Sequence, residues 1–360
     1  METKETNFNI LTGIFSRKNM PGIWHGDTTG ISQPILESVR QEIGEFSVIG
    51  IIPRSSDSTT LLITIHDNNK SAICQIGPST TDKNKLLDIG LVPERSLTKV
   101  FEGLEKRVQF LKSQDILLPK VLFSKLLPQI NRGLVITEQI EGTPADLLIR
   151  RESAENITRI FQAFGGQIGK LEKSSVPDKT PEDANTSILK KQKRVLEFLE
   201  SKHIFSKDEN DTIFEITNNN LSKLPKLPET WVHMDPFPVN WIITKSLVNF
   251  RLTLVDVRAI QIGHPWLEGI GRAIQWACRD WFTITNQQPP DFLETELLAS
   301  FNTEAPREIQ IPKIFNLNSL LQLEELIWLP RAIAYESLRD SPEETPDRRK
   351  KLIMQICEES

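Results

Sequence analysis

An α+β chain in two lobes is what the sequence predicts, a small antiparallel-sheet lobe followed by a larger helical one. Three observations carry the prediction. Short β-branched runs with turn residues between them crowd residues 46–140. Beyond E-G-T-P (Glu141–Pro144), apolar residues recur at helical spacing instead. Finally, 360 residues exceed the length that one core usually serves.

The first 30 residues have mixed polarity and little periodicity, which predicts a peripheral arm or short helix over residues 1–30. From Ile31 to Glu45 the spacing of Ile35, Leu36, Val39 and Ile43 predicts a helix that stops near Gly44. Three strands follow at Phe46–Pro53, Thr60–His66 and Ser71–Ile76. The turn-forming D-N-N-K (Asp67–Lys70) joins the last two as a hairpin. Ser96–Lys112 reads as a helix, and Pro119–Leu127 and Gly133–Ile140 as two more strands, which fills a lobe over residues 31–142. In residues 143–360 helices are expected at Ala145–Arg151, Glu155–Lys173 and Ile188–His203, with a polar loop at Ser174–Ser187. From Ile270 onward the chain is mostly helical, Leu317–Leu338 being its longest apolar segment.

Composition narrows the class. With 38% apolar and 25% charged residues the chain is of globular type. A net charge of −5 argues against a dedicated nucleic-acid binder, which presents a basic face. Apolar runs of the roughly 18 residues that a membrane span needs are missing, so no membrane partner is expected. The opening M-E-T-K-E-T-N-F-N-I has no basic-then-apolar leader, and Cys74, Cys278 and Cys357 are odd in number and far apart. Together they point to a cytoplasmic chain with reduced thiols rather than a disulfide frame or a zinc site. Oligomeric state is not legible.

One stretch stands out. W-V-H-M-D-P-F-P-V-N (Trp231–Asn240) follows an apolar run and sets His233, Asp235 and Asn240 on one tight turn. L-T-L-V-D-V (Leu252–Val257) then supplies a second acid, Asp256, at the end of the next apolar run. A carboxylate able to accept a hydroxyl proton, with an amide and a second carboxylate able to hold Mg²⁺, is equipment for phosphoryl transfer. The same residues also suit a surface turn with an Asn/Asp cap beside a core strand.

Four segments in order resemble the aminoglycoside phosphotransferase and choline kinase-like family, over roughly Phe46 to Trp281. L-V-I-T-E-Q-I-E-G-T-P (Leu134–Pro144) resembles its last N-lobe strand and hinge, and F-Q-A-F-G-G-Q-I-G-K-L-E (Phe161–Glu172) its first long C-lobe helix. V-H-M-D-P-F-P-V-N resembles the catalytic loop, and L-V-D-V-R-A-I-Q-I-G-H-P-W-L-E (Leu254–Glu268) the metal-binding strand with its I-G-D-P element. The resemblance implies a bilobal protein-kinase-like fold and an ATP-dependent phosphotransferase acting on a hydroxyl of a small molecule, aminoglycoside-, choline- or sugar-like. It implies Asp235 as the base, His233 as a structural residue of the catalytic loop, and Asn240 and Asp256 as Mg²⁺ ligands. The hinge backbone around Glu138–Ile140 would meet the adenine.

Departures from the family pattern open a second expectation. Gln75 stands where the family has a lysine or arginine for the α/β-phosphates, and P-R-S-S-D-S-T-T (Pro53–Thr60) has no glycine for a phosphate loop. His264 replaces the aspartate of I-G-D-P, and Glu172 the histidine that commonly ends the first C-lobe helix. Glu105 or Glu94 would be the glutamate left without its cation. The alternative is therefore a catalytically impaired pseudokinase acting as a binding or scaffolding protein. Arg54, on the turn after the first strand, is the preferred replacement cation for the phosphates, and Arg258 the second. Trp266, Trp276 and Trp281 are expected in the core, His264 at a turn, and Cys74 facing away from Gln75.

Overall fold

The structure is a computed structural model that describes residues 24–25, 33–52, 59–67, 69–79, 101, 103–130, 132–174, 183–245, 250–313, 315–337 and 346–359. They fall into two compact units, one within Arg17–Leu87 and Glu94–Glu141, the other within Gly142–Ser360.

Among the described residues, the first unit is a sheet with two α-helices. Its strands are β1 (Trp24–His25), β2 (Phe46–Ile52), β3 (Thr59–Ile65), β4 (Lys70–Ser79), β5 (Val121–Leu127) and β6 (Arg132–Glu138), in the spatial order β1-β2-β3-β4-β6-β5. Every pairing is antiparallel. The helices are α1 (Gln33–Ile43) and α2 (Leu104–Ser113). Alternation decides the faces, because successive strand residues point to opposite sides. Leu61, Ile63, Ala72, Cys74, Ile76, Leu134 and Ile136 share one core with Leu36 and Val39 of α1. Gln75 therefore lies on the other face, paired with Thr60 and Val135, and is itself buried. Two expectations change here. Trp24–His25 is a short strand hydrogen-bonded to Gly50 and Ile51, not an arm or helix. β6 ends at Glu138 rather than Ile140.

The second unit is mostly helical: α3 (Ala145–Ile149), α4 (Ala154–Lys173), α5 (Ala184–Ser201), α6 (Lys207–Ser222), α7 (Arg272–Thr285), α8 (Asp291–Glu304), α9 (Leu317–Ser337) and α10 (Pro346–Glu359). The helix α4 buries Ile157, Ile160, Phe161, Phe164, Ile168 and Leu171, the stripe read from sequence. Gly165 and Gly169 let α8 approach unusually closely: a side chain there would run into the carbonyls of Leu297 and Phe301. α6 escaped the sequence reading, although Ser206 and Glu209 form a complete capping box at its start. Inserted among these helices are two small sheets. β7 (Thr143–Pro144), β9 (Trp241–Lys245) and β10 (Phe250–Leu254) form one, and β8 (Thr230–His233) with β11 (Ile260–Gly263) the other.

Candidate active site

The two small sheets place the motif. β8 pairs with β11 and β9 with β10, so the connections 234–240 and 255–259 must run side by side. Backbone bonds stitch them: the Met234 N–H donates to Ala259 (2.8 Å) and the Val255 N–H to Asn240 (2.9 Å). Hence Asp235, Asn240 and Asp256 are brought together although sixteen residues separate the last two.

Each side chain then has a defined state. Asn240 is fully buried, and its Nδ2 donates to both the carbonyl (2.8 Å) and Oδ2 (3.0 Å) of Asp235. Its Oδ1 is also buried and has no protein partner. Asp235 is half-buried, and that amide holds its carboxylate from one side. Asp256 sits just past the end of β10, in a left-handed turn (φ 55°, ψ 57°). Arg258 donates from Nε to its Oδ1 at 3.1 Å. His233 is fully buried, and its Nε2–H donates to the Val255 carbonyl (2.9 Å), tying the two connections together. The Trp241 indole N–H anchors Pro236, and its ring packs on Phe161 and Phe164 of α4.

The donor set suits a hard divalent cation. Mg²⁺ takes oxygen ligands, commonly one or two carboxylates, and keeps other positions for water and phosphate. The orphaned Oδ1 of Asn240 and the Asp256 carboxylate are oxygens of the kind that could hold it. Among the described residues no group of three His, Cys, Asp or Glu is placed to hold a metal ion.

Behind this site lies a buried ionic system. His264, read as a turn residue, is a buried cap: its Nδ1 accepts from the N–H groups of Trp266 (3.1 Å) and Leu267 (3.3 Å). Its Nε2–H donates to Asn185 (2.8 Å), which fixes one neutral tautomer. Burial lowers its pKa to about 4. Burial alone would raise Glu268, yet Lys191, Arg331 and Arg272 hold it well below the usual carboxylate range. Arg331 meets it at 2.5 Å and Lys191 at 3.4 Å. Arg272 pairs with Glu324 (2.9 Å) and stacks over Trp328, while Arg279 and Gln275 hold Glu325. Glu172 is buried too, pushed well above its ordinary value by burial, and only a glycine at position 269 leaves room for its carboxyl. These residues were not read as a group. The signal was present in R-D-W and L-E-E-L, charges set inside apolar helices.

The remaining sequence candidates lie in the sheet unit. Glu138 accepts from the Lys120 N–H (2.7 Å) while its own N–H donates to the Lys120 carbonyl (3.0 Å). Ile140 is half-buried beyond the strand end, and Glu105 is exposed on α2. Arg54 and Glu94 lie outside the described residues. Trp266, Trp276 and Trp281 are buried, as expected of core residues.

Comparison with known proteins gives a family and a fold. The profile described as the phosphotransferase enzyme family matches residues 93–309. A choline kinase from Streptococcus pneumoniae superposes with a TM-score of 0.58 at 14% identity, over 91% of this chain and 99% of that one. An ethanolamine kinase from Plasmodium vivax gives 0.53 at 13% identity, over 99% and 89%. The streptomycin–ATP complex of APH(2″)-IIa gives 0.54 at 14%, over 91% and 96%. The fold is therefore protein-kinase-like, as the motif order implied. Among curated proteins, enhancer of translation termination 1 of Saccharomyces cerevisiae is 28% identical over 159 residues, 44% of this chain. The match covers 31% of that relative's length.

Proposed function

The chain belongs to the phosphotransferase enzyme family, and from that premise we propose that it transfers the γ-phosphate of ATP to a hydroxyl of a small molecule. The observation that carries this reading is the divided role of Asn240. One end of its amide holds Asp235, and the other is a buried oxygen with no protein partner. On this reading Asp235 orients the acceptor hydroxyl and takes its proton, its carboxylate kept in place by the Asn240 N–H groups. Asn240 Oδ1 and Asp256 would hold Mg²⁺, which when bound neutralises charge on the transferring phosphates. His233 serves structurally, through its bond to Val255. The adenine edge would meet the backbone around Glu138–Ile140. Because the Glu138 N–H is committed to Lys120, the Glu138 carbonyl and the backbone of Gln139 and Ile140 would carry that contact. Gln75 and Arg54 would face the phosphates. Such a site works by positioning and charge neutralisation more than by covalent chemistry. The acceptor is of aminoglycoside, choline or sugar type, and the buried, reduced thiols suit a cytoplasmic setting.

Gln75 favours a second reading, a pseudokinase that binds or scaffolds without turnover. A buried amide brings no charge to the phosphates, and losing one charge-stabilising donor costs about 10²–10³ in rate. One experiment separates the two: calorimetric titration with Mg-ATP, followed by an acceptor screen over amino alcohols, sugars and aminoglycosides. Nucleotide binding with turnover of at least one acceptor is the expected result. Binding without turnover across the panel would favour the scaffold. An absence of binding at about millimolar ATP, near the upper end of ordinary substrate affinities, would sink the kinase reading.

A further inference from the structure

Arg258 has a position that the transfer reaction alone does not call for. It lies two residues past Asp256 and places its Nε 3.1 Å from Oδ1 of the carboxylate proposed to bind metal. Both side chains are largely withdrawn from water, 14% and 10% exposed. An ion pair in that setting is screened far less than one on the surface. The site gathers two carboxylates, Asp235 and Asp256, each −1, and Arg258 offsets the one proposed as a metal ligand, while Asn240 adds no charge. Arg258 thus halves the negative charge that faces the cation before any ligand arrives.

We infer that Arg258 is a built-in counter-ion that makes the Asn240/Asp256 site weak for a bare divalent cation and selective for one arriving with a polyphosphate. The inference rests on the kinase reading of the site and deepens it. A pocket whose negative charge is partly cancelled gives a lone doubly charged ion less to offset the loss of its hydration. A cation already bound to the phosphates brings its own anionic ligands, and the Arg258 guanidinium, suited to bidentate contact with phosphate oxygens, then adds to the attraction instead of opposing it. Arg258 also supplies a fixed charge on the one unit whose sequence keeps every candidate metal ligand, while Gln75 leaves the other without its expected cation.

The test is direct binding of Mn²⁺ to the full chain, followed by loss of the free-ion electron paramagnetic resonance signal, with and without the non-hydrolysable β,γ-imido analogue of ATP. Arg258→Gln keeps a hydrogen-bond donor and removes the charge. Its affinity for Mn²⁺ alone should rise about tenfold or more, as expected for removing a like charge a few ångströms away. The gain in Mn²⁺ affinity on adding nucleotide should shrink correspondingly. Arg258→Lys keeps the charge and should retain the weak affinity of the parent, which also guards against a Gln variant that fails to fold. Adding Asp256→Asn to Arg258→Gln should abolish the tightened binding. Equal Mn²⁺ affinity in the parent and Arg258→Gln would overturn the inference and leave the kinase reading standing, as would tightened binding that survives Asp256→Asn. Failure of all proteins to take Mn²⁺, even with the nucleotide analogue, would remove both.

Discussion

Gln75 in the sheet and Glu268 in the helical unit are almost equally buried, at 3% and 1% exposed, yet their surroundings differ in kind. Gln75 is paired across the sheet with Thr60 and Val135, both uncharged. Around Glu268 the chain has gathered Lys191, Arg331 and Arg272, with Arg279 and Glu325 nearby in a second pair. Such pairs add little net stability, since desolvation offsets attraction, but removing one partner costs about 3–5 kcal/mol. They fix geometry. The helical unit therefore carries its own buried counter-charges, whereas the strand partners of Gln75 bring none.

The strongest way to break this contrast is at Asp235. Replacing it with Asn should lower turnover by about 10²–10⁴-fold if it is the general base, with nucleotide affinity little changed. Steady-state kinetics on whichever acceptor the screen finds will show it. A loss under tenfold would mean that the pinned geometry of this unit serves something other than proton transfer.

Acid titration sharpens the contrast from the stability side, because two buried groups pull in opposite directions. His264 has its pKa lowered by burial to about 4, so the unfolded chain takes up its proton first, and stability is lost as pH falls from 6.5 toward 4. Glu325 is raised by burial to about 7, so the folded chain keeps its proton longer, and stability is lost as pH rises from 4.5 toward 7. Each effect amounts to about 3 kcal/mol at most. Between pH 4.5 and 6.5 the His264 and Glu325 contributions offset each other, and Glu172, also raised by burial, adds to the Glu325 side. In Glu325→Gln one opposing contribution disappears, so acidifying below pH 6.5 should cost this variant more stability than the parent in urea unfolding. Parallel profiles for the two proteins would show that Glu325 ionises normally.

The smallest expected effects belong to the sheet. Arg54→Ala should raise the apparent KM for ATP and lower turnover, each by roughly three- to tenfold, as for loss of one charged hydrogen bond. Gln75→Lys should partly restore both. A lysine between Thr60 and Val135 brings a charge to a buried position, so it should also lower the melting temperature until nucleotide is added. No thermal recovery with nucleotide would place position 75 away from the phosphates.

Much of this was legible where physics acts locally. The D-N-N-K hairpin, the apolar stripe of α4 and the core-facing Cys74 follow from turn chemistry and from periods of 3.6 and 2. The motif order exposed Asp235, Asn240 and Asp256, and the structure brings them together through strand pairing that no single segment encodes. β1 stayed hidden because two residues carry no period, and its strand identity comes wholly from Gly50 and Ile51. α6 was missed for weak amphipathicity despite its capping box. The ionic system was legible only in part, through the charges of R-D-W and L-E-E-L inside apolar helices. Glu268, Arg272 and Arg331 are each plausible surface residues alone, and only their long-range packing makes them partners.

The sulfur chemistry of the chain has a use of its own. Cys74, Cys278 and Cys357 are all buried, and burial pushes their thiols up, Cys74 to about 12 and Cys357 to about 11. Since the thiolate is the reacting form, an alkylating reagent meets none of them until the backbone opens locally. Cys74 belongs to the sheet and the other two to the helical unit. Their labelling rates, resolved by peptide mass, therefore act as separate clocks for the opening of each unit, with no engineered reporter required.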